Sequence, residues 1–92
     1  MPLEFTWDRS KATSNLEKHG VSFEEASTAF GDPLSITVPD PDQSHDESRF
    51  VLMGQSFRGK LLVVVHSERG ESIRIISARA ATRRERREYE QV

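Results

Sequence analysis

Two hydrophobic periods run along this chain, and capping or turn residues bound each stretch. Leu3, Phe5 and Trp7 alternate with Glu4 and Thr6, the period of a short half-buried strand. Asp8 then caps a helix running to about residue 19, which Gly20 stops in the left-handed conformation. Ser22, with Glu25 three residues on, has the spacing of a capping box for a second helix. Phe23, Ala26 and Phe30 give that helix one apolar stripe, and Gly31-Asp32-Pro33 ends it. Leu34, Ile36 and Val38 predict a strand, followed by an acidic loop from Pro39 to Ser44. Three further strands are predicted over residues 47–55, 61–68 and 72–79, with Arg58-Gly59 and Arg69-Gly70 as tight turns between them. Thr82 and Glu85 form a second capping box, opening a terminal helix over residues 83–89. The expected fold is α+β in a single domain over residues 1–92: an antiparallel meander with two helices ahead of it and one behind. Helices then cover one face of the sheet and leave the other partly open.

Strict alternation assigns faces. Leu61, Val63, Val65 and Ser67 share one face of their strand, and Leu62, Val64, His66 and Glu68 share the other. Ile73, Ile75, Ser77 and Arg79 oppose Ser72, Arg74, Ile76 and Ala78, while Glu47, Arg49, Val51 and Met53 oppose Ser48, Phe50 and Leu52. Polar groups gather at strand ends, Glu47 and Arg49 on one strand and His66 and Glu68 on its neighbour. A hairpin through Arg58-Gly59 brings those ends together.

Composition narrows the setting. With no cysteine in 92 residues, disulfides and thiolate metal sites are excluded. No apolar run approaches the roughly 20 residues of a membrane span. The N-terminus lacks the build of a signal peptide, so a cytoplasmic location is expected. The net charge of −2 hides a division: residues 1–48 hold three basic and ten acidic residues, residues 49–92 ten basic and five acidic. Such asymmetry implies two surfaces with different partners. Arg79, Arg83, Arg84, Arg86 and Arg87 are dense enough for phosphate contact. Ion pairs at Arg84–Glu88 and Arg86–Glu90 on a solvated helix explain the same density equally well.

Three separated blocks carry a resemblance: Trp7-Asp8, the run from Lys18-His19-Gly20-Val21 to Ala26, and Arg74-Ile75-Ile76-Ser77-Ala78-Arg79. Asn15, Phe30-Gly31-Asp32-Pro33, Glu47-Ser48-Arg49, Gly54 and Ala81-Thr82-Arg83-Arg84-Glu85-Arg86 extend it. In this order the chain resembles the BrnT-type toxins of bacterial type II toxin–antitoxin pairs. The resemblance implies a RelE-like fold, ribonuclease activity without metal or other cofactor, and arrest of translation. It also implies neutralisation by a BrnA-type antitoxin, whose ribbon-helix-helix domain binds operator DNA.

Metal-free RNA cleavage needs a base for the 2′-hydroxyl proton, an acid for the leaving oxygen, and cations for the charge gathering on phosphorus. The resemblance carries the catalytic roles to Arg49, Arg74 and Arg79, and to Glu47, His66 and Glu68 beside them. Arg74 also stands with Arg83, Arg86 and Arg87 as an RNA-binding candidate. His66 supplies an imidazole for acid or base work, and Glu47 or Glu68 can act as base or orient the imidazole. Structural accounts stay open beside each role. His66 can be a core-edge histidine, Glu47–Arg49 a cross-strand ion-pair set, and Arg79 a donor to backbone carbonyls before the terminal helix. Lys18-His19 suits the negative end of a helix dipole, and Phe5, Trp7 and Tyr89 suit packing. No metal is expected, since His19, His45 and His66 lack ligand spacing and the acids of residues 40–47 lack the glycine turn of a calcium loop. The rival function is a catalytically silent partner that docks an antitoxin and tunes its operator binding. A stand-alone DNA-binding module fits worst, because no helix-turn-helix or ribbon-helix-helix pattern accompanies the basic helix.

Overall fold

The computed structural model describes residues 4–40 and 48–91. In chain order the elements are β1 (Glu4–Thr6), α1 (Arg9–His19), α2 (Phe23–Thr28), a 3-10 turn (Ala29–Gly31), β2 (Ile36–Pro39), β3 (Arg49–Gln55), β4 (Leu61–Arg69), β5 (Ser72–Ala80) and α3 (Arg83–Glu90). The strands form one sheet in the order β1-β5-β4-β3-β2. β2 to β5 are the expected antiparallel meander, and β1 adds to β5 in parallel, with Phe5 opposite Ile73. Among the described residues no helix is long and apolar enough to cross a membrane.

α1 and α2 cover one face of the sheet. Val21, Phe23 and Ala26 pack there on Leu62, Val64, Ile73, Ile75 and Ala78, with Phe5, Trp7, Ala12 and Phe30 closing the margin. Each large aliphatic or aromatic side chain taken fully out of water contributes roughly 1.5–3 kcal/mol, so this layer holds the fold. At Gly54 a side chain is excluded, because a Cβ would lie 2.8 Å from the carbonyl oxygen of Ala29. That absence lets β3 press directly against the 3-10 turn.

Capping follows the sequence closely at α1. The Asp8 carboxylate accepts from the Lys11 amide at 3.0 Å, and Gly20 at φ +70° donates to the Leu16 carbonyl. Yet α1 buries only Asn15, and Leu16 stays half exposed, so apolar packing contributes little to its docking. The Asn15 amide substitutes for it. Its Nδ2 donates to the carbonyls of Val21 and Ala78 at 3.0 and 2.8 Å, and its Oδ1 accepts from the Ala78 amide at 3.1 Å. β1 covers β5 only from Ser72 to Arg74, so beyond that point one side-chain amide does the pairing of a strand.

Two sequence expectations change on folding. Ser22 caps α2 by accepting from the Glu25 amide, but the reciprocal half of the box is missing: the Glu25 carboxylate turns inward and accepts from Ser56 Oγ at 2.8 Å. The second change is larger. Val65 pairs with Ser77 and His66 with Ile75, so Ile76 is an extra, unpaired residue on β5. One inserted residue reverses the side-chain parity beyond it. Ile73, Ile75 and Ala78 therefore all face the core, and Arg74, Ser77 and Arg79 share the outer face, where strict alternation had separated Arg74 from Arg79.

Candidate nucleic-acid interface

The outer face is built from register alone. Across the sheet Arg49 lies opposite Ser67, Ser67 opposite Arg74, and Arg74 opposite Thr6. Two rows further along, Met53, Val63 and Arg79 are aligned, with Val51, Val65 and Ser77 between. An apolar strip thus runs between Arg49 and Arg74 at one end and Arg79 at the other. Beside Arg74 a hollow of about 250 Å³ is lined by Thr6, Arg69, Ser72 and Arg74. At its rim Ser72 Oγ donates to the Glu4 carboxylate at 3.2 Å. A hollow of about 430 Å³ on the helix side is lined by Glu24 and Glu25 among others, a poor setting for phosphate.

α3 crosses the Arg79 end of this face. Thr82 and Glu85 close a full capping box. The Glu85 carboxylate also takes both guanidinium nitrogens of Arg79, at 2.8 and 2.9 Å. At the far end of α3 Tyr89 donates its hydroxyl to Asp32, which also accepts from the amides of Leu34 and Gln55. No α3 residue is buried, so two polar latches, rather than apolar packing, fasten the helix. Arg83, Arg84, Arg86 and Arg87 stay exposed, with Arg86 only 3.9 Å from Glu90. Arg79 keeps the structural role left open for it, touching the Ala80 carbonyl at 3.3 Å, and adds the carboxylate pair.

The latches have an electrostatic signature. The Arg79 hydrogen bonds hold Glu85 at about 2, well below the ordinary 4.5. Partial burial pushes Asp32 up, but the hydrogen bonds from Tyr89, Gln55 and Leu34 together bring it below its usual value. A depressed carboxylate stabilises the docked helix above its undocked pKa and ceases to do so as pH falls through the docked value. α3 is therefore expected to stay fastened at neutral pH and to loosen as pH falls from about 4.5 towards about 2. Amide shifts of residues 83–90 followed by NMR check this; Glu85→Gln should already show the loosened shifts at neutral pH. Unchanged α3 shifts across that window would refute the latch.

His66 and Glu68 do not join the arginines. His66 is fully buried on the core face, edge-on to Phe30 at 4.8 Å and stacked with Phe50 at 5.9 Å between ring centroids. Its Nε2 meets Glu68 Oε2 at 3.1 Å, and its Nδ1 has no partner among the described residues. The hairpin does bring Arg49 beside the His66 end of β4, as expected. Alternation nevertheless turns Arg49 outward and His66 inward, so the expected convergence is corrected: the sheet itself separates imidazole from guanidinium. Glu47 lies outside the described residues. Sequence reasoning passed over Ser67, Thr6, Arg69 and Ser72. Ser67 carried a signal, as the first polar residue on its strand face after Leu61, Val63 and Val65.

What the fold is similar to agrees with the three sequence blocks. Residues 7–85 match the sequence model of a family described as ribonuclease toxin, BrnT, of type II toxin–antitoxin systems. No curated protein matches the chain. Among solved structures it is similar to the Brucella abortus ribonuclease toxin BrnT, with a TM-score of 0.63 at 20% identity over 88% of this chain and 99% of that one. At that identity the likeness speaks for the fold, an α+β sheet flanked by helices. With 79 of its 92 residues inside the family's bounds, the chain belongs to the BrnT family of ribonuclease toxins of type II toxin–antitoxin systems.

Proposed function

We propose that this protein is a metal-independent endoribonuclease that cuts RNA by attack of the 2′-hydroxyl on the adjoining phosphate, and so arrests translation in the cytoplasm. The observation that carries the reading is the β5 bulge, which puts Arg79 on the same face as Arg74 and Arg49, a face that α3 crosses only at its Arg79 end. Cations gathered on one face stabilise the charge that collects on phosphorus. Only RNA supplies the attacking hydroxyl, so DNA of the same sequence should survive. Arg83, Arg86 and Arg87 on α3 extend the positive surface along which a strand can lie. Arg49 and Arg74 act on the phosphate directly. Arg79 joins them when Glu85 releases it. His66 and Glu68, on the core side, hold the layer beneath. A BrnA-type antitoxin with a ribbon-helix-helix domain neutralises the toxin by covering the same face.

The test is incubation of purified protein with single-stranded RNA in EDTA. Cleavage leaving a cyclic phosphate end is expected, and intact RNA at micromolar protein would overturn the reading. Two observations favour the rival, a silent antitoxin-docking partner: Arg79 is held by Glu85, and His66 is buried. Expression without antitoxin separates the two, because growth arrest requires activity and docking does not.

A further inference from the structure

We propose that Ser67, between Arg49 and Arg74, is the hydroxyl donor of a phosphate-binding subsite on the outer face, holding one backbone phosphate of an RNA strand. The inference rests on the ribonuclease reading for the identity of its ligand, but not for the site itself. Ser67 is 1% exposed, and its Oγ has no hydrogen-bond partner among the described residues. A buried hydroxyl without a partner is a cost to the fold that valine would avoid. Valine already fills the two preceding positions on that strand face, Val63 and Val65. A hydroxyl kept at such a place points to a partner that arrives from outside.

The surroundings say what that partner is. Arg49 and Arg74 are the cross-strand neighbours of Ser67 on either side. Directly opposed side chains in a sheet stand close enough to act on one ligand. Among the described residues neither arginine has a carboxylate partner, in contrast to Arg79 and Arg86. Two guanidinium groups, neither with a carboxylate partner among the described residues, and one hydroxyl are five-donor forks and a further donor around a small gap, a set that matches the oxygens of a phosphate. The arginine stems are long and flexible, so their heads can turn over an arriving phosphate. Beyond Arg74 the row runs into the hollow of about 250 Å³, where Thr6 offers a hydroxyl and Arg69 a third cation, while Ser72 Oγ donates to the Glu4 carboxylate at the rim. An adjoining ribose fits there, and the strand would cross the sheet at right angles to β4 and β5.

Isotope-labelled protein is titrated separately with inorganic phosphate and with single-stranded RNA whose 2′-hydroxyls are methylated, so that it cannot be cut. Saturable shifts of the Thr6, Ser67 and Arg74 amides are expected with both. Ser67→Ala should weaken both ligands about tenfold, the loss of one charge-assisted hydrogen bond. The same substitution should leave Tm unchanged or higher, because it removes an unpaired buried group. A Tm that falls by several degrees would mark the hydroxyl as part of the fold and overturn the subsite, as would wild-type affinity in Ser67→Ala. Phosphate shifts confined to α3, in a protein that cuts RNA, would sink the subsite and leave the ribonuclease standing. Shifts along the row in a protein that leaves RNA intact would do the reverse.

Discussion

Arg74→Ala is expected to slow RNA cleavage by about a hundredfold or more, the usual consequence of removing one cationic donor to a developing negative charge. Arg49→Ala should do the same. Both residues stand on the outer face, without carboxylate partners among the described residues, so the loss should fall on the reaction rather than on the fold. Surface substitutions of this kind change stability by about half a kcal/mol at most. The double variant should be little worse than either single one if the two guanidinium groups grip the same phosphate, since groups acting as a unit are not additive. Arg74→Lys should recover only part of the rate, because an ammonium lacks the two-point fork. Lys18→Ala, on the last turn of α1, serves as the control and should cut RNA normally. Single-turnover rates at saturating protein decide the matter. Full activity in Arg49→Ala and Arg74→Ala would remove the outer face from the chemistry.

The largest stability effect is expected at Asn15. Asn15→Ala strips partners from the Val21 carbonyl and from both backbone groups of Ala78, and all three are shielded from water. At about 1–3 kcal/mol for each buried group left unpaired, and with water recovering some of them, the loss should be about 3–5 kcal/mol. A domain of this size holds on the order of 5–15 kcal/mol in total. At roughly 4–8 °C per kcal/mol, Tm should therefore drop by about 12–40 °C. Asn15→Asp should fare no better, since it keeps the acceptor but loses the donor and buries a charge. Urea unfolding monitored through Trp7, which packs edge-on to Phe23, reports the transition. A loss below about 1 kcal/mol would mean that α1 is held by something other than this clamp.

Local chemistry made much of the architecture legible. The Asp8 cap, the Gly20 stop and the Thr82–Glu85 box each depend on groups within a few residues of one another, and each stands where the spacing put it. The meander strands and their turns follow from alternation and from two glycines at positive φ, Gly59 and Gly70. The outward set Arg49, Val51 and Met53 is likewise a matter of counting along an uninterrupted strand. The three blocks that carry the family resemblance needed no coordinates either.

The candidate site was less legible, for a definite reason. Grouping His66 and Glu68 with Arg49 took proximity of strand ends as convergence, and a sheet has two sides. Separating Arg74 from Arg79 assumed a regular β5, whereas the core positions Ile73, Ile75 and Ala78 are spaced by two and then by three, with Ile76 the extra residue. Ser22-Glu25 has the spacing of a box, but a distant hydroxyl, Ser56, took the carboxylate.

Along the chain itself, then, short-range forces settled which segments are helix or strand, where they start and stop, how charge divides between the halves, and which family this is. Only the tertiary structure decided that β1 joins β5 in parallel, that one extra residue rotates Arg79 onto the face of Arg74, and that Asn15 completes the edge of a strand. Those outcomes depend on pairings between residues far apart in sequence, where register, rather than local propensity, chooses each side chain's surroundings.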